Sequence, residues 1–151
     1  MLNAARLDYD GRIDLARLEA AADVERYEIS APEEVAARAA GADVILNKEM
    51  PLDAPLIAAL PASVRLVCEA GTGYNNVDLA ACHARGIAVC NVPTYATEAM
   101  AHMAVTFVMA LACSLWPQSA ALATGDRSYM AQCHLGALPH FELTGKTIGL
   151  V

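Results

Sequence analysis

The sequence predicts an α/β fold in which helices cover a parallel β-sheet. Short apolar runs alternate with short helical runs from the N-terminus to Cys90, and a few residues connect each pair. Runs such as VILN and IAVC are apolar on both faces, which is typical of buried strands in parallel sheets. Because crossovers between parallel strands are right-handed, the helices of such a pattern lie on both faces of the sheet.

Composition excludes several classes of protein. The 151 residues contain 10 Lys and Arg against 17 Asp and Glu, which gives a net charge of −7. Apolar residues make up 56% of the chain and charged residues 18%, so the chain is not of the disordered type and can bury a core. The acidic balance argues against a nucleic-acid partner, because phosphate contacts require Lys and Arg.

The cysteines and the N-terminal residues indicate a reducing, cytoplasmic location. The first residues contain no apolar run of the kind found in secretory signals. Five scattered cysteines form no C-x-x-C pair and lie mostly in apolar runs, so we expect buried, unpaired thiols. The four histidines do not have zinc-ligand spacing, and no metal site is predicted. The cysteines are Cys68, Cys82, Cys90, Cys113 and Cys133.

Five strands and four helices are predicted in the first 90 residues. Asp53 and Asp78 each precede a helix and are expected to cap it by accepting a backbone N–H, and Gly86 is expected to end the second of these helices. The predicted strands span residues 5–8, 24–29, 44–46, 64–68 and 87–90. The predicted helices span residues 14–22, 32–40, 53–60 and 78–85.

The remaining third of the chain breaks this alternation. Residues 97–116 predict a long apolar helix that continues toward residue 124. Its length is sufficient to span a bilayer, but it is rich in Ala and Met and lacks a flanking Lys/Arg cluster, so a helix buried between protein layers is favoured. Residues 125–144 are irregular and resemble a packing arm, and residues 146–151 predict another strand.

A glycine-bearing loop follows the fourth predicted strand. In the segment EAGTGYNNVD, Gly71 and Gly73 flank Thr72. Glycines permit consecutive N–H groups to point one way and admit a ligand close to the main chain, and ligands of parallel sheets bind beyond the carboxyl ends of the strands. A small carboxylate suits such a loop. Alternatively, the glycines only shape a tight turn into the following helix.

A second unusual loop, NVPTYATE, follows the fifth predicted strand. Pro93 ends the strand, Tyr95 is available to line a cleft, and Thr97 can cap the long helix. If that helix crosses between two domains, its first turn faces the cleft and exposes Met100 and Thr97 to a ligand. The alternative is a strand exit followed by a helix cap, with no ligand.

The motif GTGYNNVD, followed by GIAVCNVPTYATE, resembles the signature of a known protein family. From about residue 8 to residue 151 the chain is similar to the N-terminal half of D-isomer-specific 2-hydroxyacid dehydrogenases, nearest to the glycerate dehydrogenase/hydroxypyruvate reductase branch. The resemblance implies a flavodoxin-like catalytic domain over residues 1–96 and an interdomain crossing helix over 97–124. It further implies a dimerisation arm over 125–144 and the first strand of a truncated NAD-binding Rossmann domain over 145–151.

The resemblance also implies roles for particular residues. The carboxylate of a small 2-hydroxy or 2-keto acid would be held by the backbone N–H groups of Thr72 and Gly73, with Ala70 and Gly71 shaping the approach. Met100 and Thr97 would lie near the nicotinamide of NAD or NADP, and the crossing helix and arm would form a homodimer.

The groups that perform the chemistry are expected beyond Val151. These are the G-x-G-x-x-G turn, the catalytic Arg and the Glu–His acid/base pair of the family. No catalytic residue is therefore assigned within the chain, and we expect no dehydrogenase turnover from these residues alone.

Three alternatives remain open at this point. A non-catalytic, NAD-sensing relative of the same fold is not distinguished by these residues. A receiver module is disfavoured, because the third predicted strand ends in Asn47 rather than Asp and no Lys follows the fifth. A flavodoxin-type FMN-binding module is disfavoured because no Ser/Thr/Gly phosphate loop follows the first strand.

Overall fold

The computed structural model describes residues 1–128, 130 and 138–150, which fall into two compact units, Met1–Tyr95 and Ala96–Val151. The first unit contains the helices α1 (Ala4–Leu7), α2 (Ala16–Glu19), α3 (Pro32–Arg38), α4 (Ala54–Ala59) and α5 (Leu79–Ala84), and the strands β1 (Val44–Asn47), β2 (Leu66–Glu69) and β3 (Ala88–Cys90). The second unit contains α6 (Thr97–Ala112) and α7 (Leu115–Ala123).

The three strands form a parallel sheet in the order β1-β2-β3. In its register Leu46 pairs with Cys68, which pairs with Cys90, and Asn47 pairs with Glu69. Parallel pairing requires a crossover between successive strands, and α4 and α5 supply it. The predicted parallel α/β fold is thereby confirmed, with strands close to those predicted at 44–46, 64–68 and 87–90.

The first two predicted strands are wrong. Residues 4–7 form α1 rather than a strand, since the run AARL consists of good helix formers. Residues 24–29 form no regular strand, although the Leu2 N–H donates to the Leu46 carbonyl (2.8 Å) and the Tyr27 N–H to the Met1 carbonyl (3.0 Å). The N-terminal residues therefore extend the sheet beside β1 by isolated hydrogen bonds.

Both predicted aspartate caps are confirmed. The Asp53 carboxylate accepts the Leu56 N–H (3.0 Å) at the start of α4, and the Asp78 carboxylate accepts the Ala81 N–H (2.9 Å) at the start of α5. Gly86 follows α5 with a φ of 68°, a left-handed conformation that glycine adopts without strain. The predicted helix at residues 14–22 is reduced to the four residues of α2.

The core of the first unit lies between the sheet and helices α3 to α5. Arg85 joins α5 to the end of α4, because its guanidinium donates to the carbonyl oxygens of Ile57, Leu60 and Pro61. These carbonyls lie in and just after the last turn of α4, where helical N–H donors run out, and the Ile57 carbonyl also accepts the N–H of the C-cap residue Leu60. The fully buried apolar side chains of this core include Val35, Leu52, Ile57, Val67 and Cys82.

The long helix is interrupted, contrary to the prediction of one helix reaching residue 124. Ser114 has a φ of 48°, and α6 and α7 meet there at 64°. The Phe141 N–H donates to the Ala112 carbonyl (3.0 Å), and the Gln118 side chain donates to the Cys113 carbonyl. Both carbonyls lose their helical partners at the break, so these contacts stabilise it.

Two further expectations about α6 are wrong. Ala96, not Thr97, is the N-cap residue, and no side chain caps the helix. Most of α6 is exposed in the described part of the chain, where only Ala110 and Ala112 of this helix are buried. Within the described residues no one helix has the length and apolar character of a membrane span, although the bent α6–α7 pair passes that test when taken together.

The last predicted strand is absent from the described residues, because residues 146–150 adopt no regular secondary structure. The residues of the predicted arm at 129 and 131–137 lie outside the described residues, as does Val151. Of the described arm residues, Phe141 and Leu143 contribute with Met109 to the lining of a cavity of about 470 Å³.

The cysteines are less uniformly buried than expected. Cys82 is buried and Cys68 is half-buried, and burial raises the pKa of both thiols. Cys90 and Cys113 are exposed, which corrects the expectation for these two. Cys133 lies outside the described residues.

A buried carboxylate joins the ends of β1 and β2. Glu69 Oε2 accepts the side-chain N–H groups of Asn47 (2.7 Å) and Asn76 (2.9 Å), and Oε1 accepts the Glu49 backbone N–H (3.1 Å). Both asparagines also donate to the Met50 carbonyl. Glu69 and Asn47 are almost fully buried, so these bonds replace lost hydration and fix the loop after each strand.

Replacing Glu69 with Gln tests this arrangement. The glutamine amide has the same size as the carboxylate, but both carboxylate oxygens accept N–H groups. Whichever oxygen the NH₂ group replaces, two donors then face each other and a buried donor is left without an acceptor, which costs about 1–3 kcal/mol. We expect a lower urea midpoint for Glu69→Gln in circular dichroism. The control is Glu19→Gln, at an exposed position in α2; equal midpoints for the two variants would contradict the assignment.

Candidate functional site

The loop after β2 is attached to its neighbours through its carbonyl groups. The Gly71 carbonyl accepts the Val92 N–H (3.0 Å), and the Thr72 carbonyl accepts the Asn91 side-chain N–H (2.8 Å). The Thr72 hydroxyl donates to the Val92 carbonyl (3.0 Å). The loop therefore lies against the segment that follows β3, and its acceptors are occupied.

The N–H groups of the same loop are not occupied. Ala70 donates to the Asn47 carbonyl (2.7 Å), but no acceptor in the described residues receives the N–H of Gly71, Thr72 or Gly73. Gly71 is buried, whereas Thr72 and Gly73 are exposed. Consecutive main-chain donors without a partner on an exposed loop are suited to bind a small anion.

A lysine that the sequence analysis did not single out lies beside this loop. The Lys48 ammonium is 3.0 Å from Glu49 Oε1, and Arg6 is 3.4 Å from Glu49 Oε2. The hydrogen bond from Lys48, followed by the positive charge of Lys48, lowers the pKa of Glu49. Glu49 has a φ of 59°, an uncommon conformation for a residue with a side chain. The signal in the sequence was a lysine directly after a buried strand.

The predicted site residues fall into two groups. Ala70, Gly71, Thr72 and Gly73 lie together in the loop after β2, at the carboxyl end of the sheet. Met100 and Thr97 lie in the first turn of α6, in the second unit, and both are exposed.

A cavity of about 320 Å³ in the first unit is separate from this loop. Its lining includes Leu18, Tyr27, Leu46 and Cys68, and the Arg38 guanidinium lies 4.6 Å from the centre of the Tyr27 ring. None of the residues from Ala70 to Gly73 lines it.

Comparison with known proteins gives one family match and several relatives. Residues 8–147 match the family described as D-isomer specific 2-hydroxyacid dehydrogenase, catalytic domain. A glycerate dehydrogenase of Methylorubrum extorquens is 30% identical over 120 residues, which cover 80% of this chain and 38% of the relative. A hydroxypyruvate reductase of Blautia hydrogenotrophica is 27% identical over 150 residues, which cover 99% of this chain and 45% of the relative.

The fold is also found among solved structures. D-lactate dehydrogenase from Aquifex aeolicus, solved in complex with NAD and lactic acid, has a TM-score of 0.66 at 17% identity, and the match covers 82% of this chain and 36% of that one. The chain thus spans less than half the length of these relatives. The match over residues 8–147 shows that this chain belongs to the D-isomer-specific 2-hydroxyacid dehydrogenase family.

Proposed function

We propose that the chain supplies the substrate-binding part of an NAD- or NADP-dependent dehydrogenase of small 2-hydroxy acids. The reaction is hydride transfer between nicotinamide and the carbon that bears the 2-hydroxyl or 2-keto group. The observation that carries the proposal is the pair of N–H groups at Thr72 and Gly73, which have no acceptor in the described part of the chain.

These two N–H groups receive the substrate carboxylate. Hydrogen bonds to a charged partner contribute about 1.5–3 kcal/mol each, and the loop is already held in place by its carbonyls. Ala70 and Gly71 shape the approach, because Ala70 is fixed to Asn47 and Gly71 presents no side chain. The substrate acid is therefore bound through main-chain groups whose position depends on β2 and β3.

The residues of this chain do not fit a complete dinucleotide site. Gly145 and Gly149 are isolated glycines in a stretch without a strand, whereas a dinucleotide turn requires closely spaced glycines between a strand and a helix. When bound, the nicotinamide cofactor would carry the hydride. Met100 and Thr97 are proposed to border its nicotinamide, since both side chains are exposed.

We also propose a role for each segment of the chain, on the basis of the family resemblance. Residues 1–96 act as the substrate domain, 97–124 as the interdomain segment, 125–144 as the dimerisation arm and 145–151 as the beginning of the cofactor domain. The proposed location is the cytoplasm. Exposed apolar side chains on α6 favour a second copy of the chain as the partner.

Substitutions at Gly73 test the loop. Gly73→Pro removes one N–H, and we expect pyruvate affinity to fall about ten-fold or more. Gly73→Ala retains the N–H and places its Cβ in ordinary contact with Asn75, so it is the matched control. Affinity is measured by NMR titration of the amide signals; equal affinities in the two folded variants would refute the loop's role.

The chain alone is predicted to have no turnover. The resemblance assigns the Arg and the Glu–His pair to a downstream part, and a general acid/base contributes typically about 10²–10⁴-fold. The absorbance of NADH is followed with hydroxypyruvate and with glyoxylate. A steady, enzyme-dependent loss of NADH by the purified chain would contradict this prediction.

The proposed homodimer gives a separate prediction. Leu111 of α6 is 68% exposed, and a charge there is expected to weaken association by placing a carboxylate in an apolar interface. Light scattering after size-exclusion chromatography should give a dimer mass for the chain and a lower mass for Leu111→Glu. Leu79→Glu, on the exposed face of α5, is the control. A monomeric parent chain would exclude the dimer.

A further inference from the structure

The Lys48 side chain is almost buried although it carries a charge. Its side chain is 13% exposed, and Glu49 provides the one carboxylate within 4.0 Å of Nζ in the described part of the chain. An ammonium has three donors, and a buried donor without a partner is costly. The contact with Glu49 at 3.0 Å leaves donors available for a further acceptor.

Gly71 lies next to this ammonium. A Cβ built on Gly71 would lie 3.5 Å from Lys48 Nζ and 3.5 Å from Glu69 Oε1. No side chain therefore separates the ammonium from the backbone of the loop. Glu69 does not compete for Nζ at ion-pair distance, because its oxygens accept N–H groups of Asn47, Asn76 and Glu49.

We propose that Lys48 is a further substrate-binding residue, whose ammonium is the charged partner of the carboxylate received by the Thr72 and Gly73 N–H groups. This inference rests on the function proposed above. The Lys48 ammonium would add a full positive charge to the partial charges of the main-chain N–H groups. Lys48 and Lys146 are the two lysines of the chain. Glu49 holds the ammonium in position, and Arg6 partly neutralises Glu49, so that the ammonium keeps its attraction for a second carboxylate.

The same geometry explains why a glycine occupies position 71. A methyl group there would be in ordinary contact with both neighbours, so the fold is expected to tolerate Gly71→Ala. The methyl would nevertheless lie beside the ammonium on the side of the loop. We therefore expect Gly71→Ala to weaken the binding of an anion while leaving the fold intact.

The test measures the dissociation constants of pyruvate and of its neutral amide, pyruvamide. The full chain is titrated while the amide signals of Gly71, Thr72 and Gly73 are followed by NMR. Lys48→Met removes the charge and keeps the length of the side chain, Lys48→Arg restores a cation, and Lys146→Met is the matched control. Gly71→Ala provides a second route to the same question if Lys48→Met does not fold.

We expect pyruvate affinity to fall about ten- to a hundred-fold in Lys48→Met, the range for loss of a hydrogen bond to a charged group. Lys48→Arg should recover most of it, Gly71→Ala should show a smaller loss, and Lys146→Met should show none. Pyruvamide, which has no charge, should bind equally to the parent chain and Lys48→Met. A merely structural role for Lys48 would lower the affinity for both probes alike.

The two proposals fail in different ways. If pyruvate does not shift the loop amides of the parent chain, the proposed function is wrong, and the role of Lys48 is wrong with it. If the loop amides shift but Lys48→Met binds pyruvate as tightly as the parent chain, only the role of Lys48 is overturned. If Lys48→Met is unfolded, an unchanged pyruvate affinity in Gly71→Ala overturns that role.

Discussion

The buried Glu69 carboxylate is the constraint on which the candidate site depends. It accepts one N–H group from the end of β1, one from the loop that follows β1 and one from the loop that follows β2. A buried carboxylate must be hydrogen-bonded, and these three donors are the means. The two loops are thus held at fixed positions relative to each other. Lys48 lies in the first of these loops and Gly71 in the second, so the bonds to Glu69 also fix the distance between Lys48 and Gly71.

In the loop after β2, the carbonyl groups and the N–H groups differ in their hydrogen bonding. The carbonyls of Gly71 and Thr72 bind the segment after β3, and the N–H groups of Thr72 and Gly73 have no acceptor within the described residues. The hydrogen bonds that hold the loop therefore use atoms other than those proposed to bind the substrate carboxylate. Donors fixed in advance cost little to order when an anion binds, which is the advantage of a preorganised site.

Rules based on adjacent residues correctly predicted the secondary structure in the middle of the chain, but not at its two ends. Asp53 and Asp78 cap their helices as expected, because capping depends on a few adjacent residues. The break at Ser114 was not predictable, since it depends on hydrogen bonds with Pro139 and Phe141, which are distant in sequence. The glycine loop was recognised from its spacing. Lys48 was not, because its distance from Gly71 exists only after β1 and β2 pair.

The parallel register has a kinetic consequence. Val44 pairs with Leu66, and Leu66 pairs with Ala88, so each neighbour in the sheet is 22 residues away along the chain. No hairpin is available to nucleate the sheet locally, and loop closure must precede every strand pairing. During synthesis, the three-stranded sheet cannot be completed before the segment up to Cys90 has left the ribosome. Until then, the unpaired N–H and C=O groups along the edge of β2 that later pairs with β3 are open to association with other nascent chains.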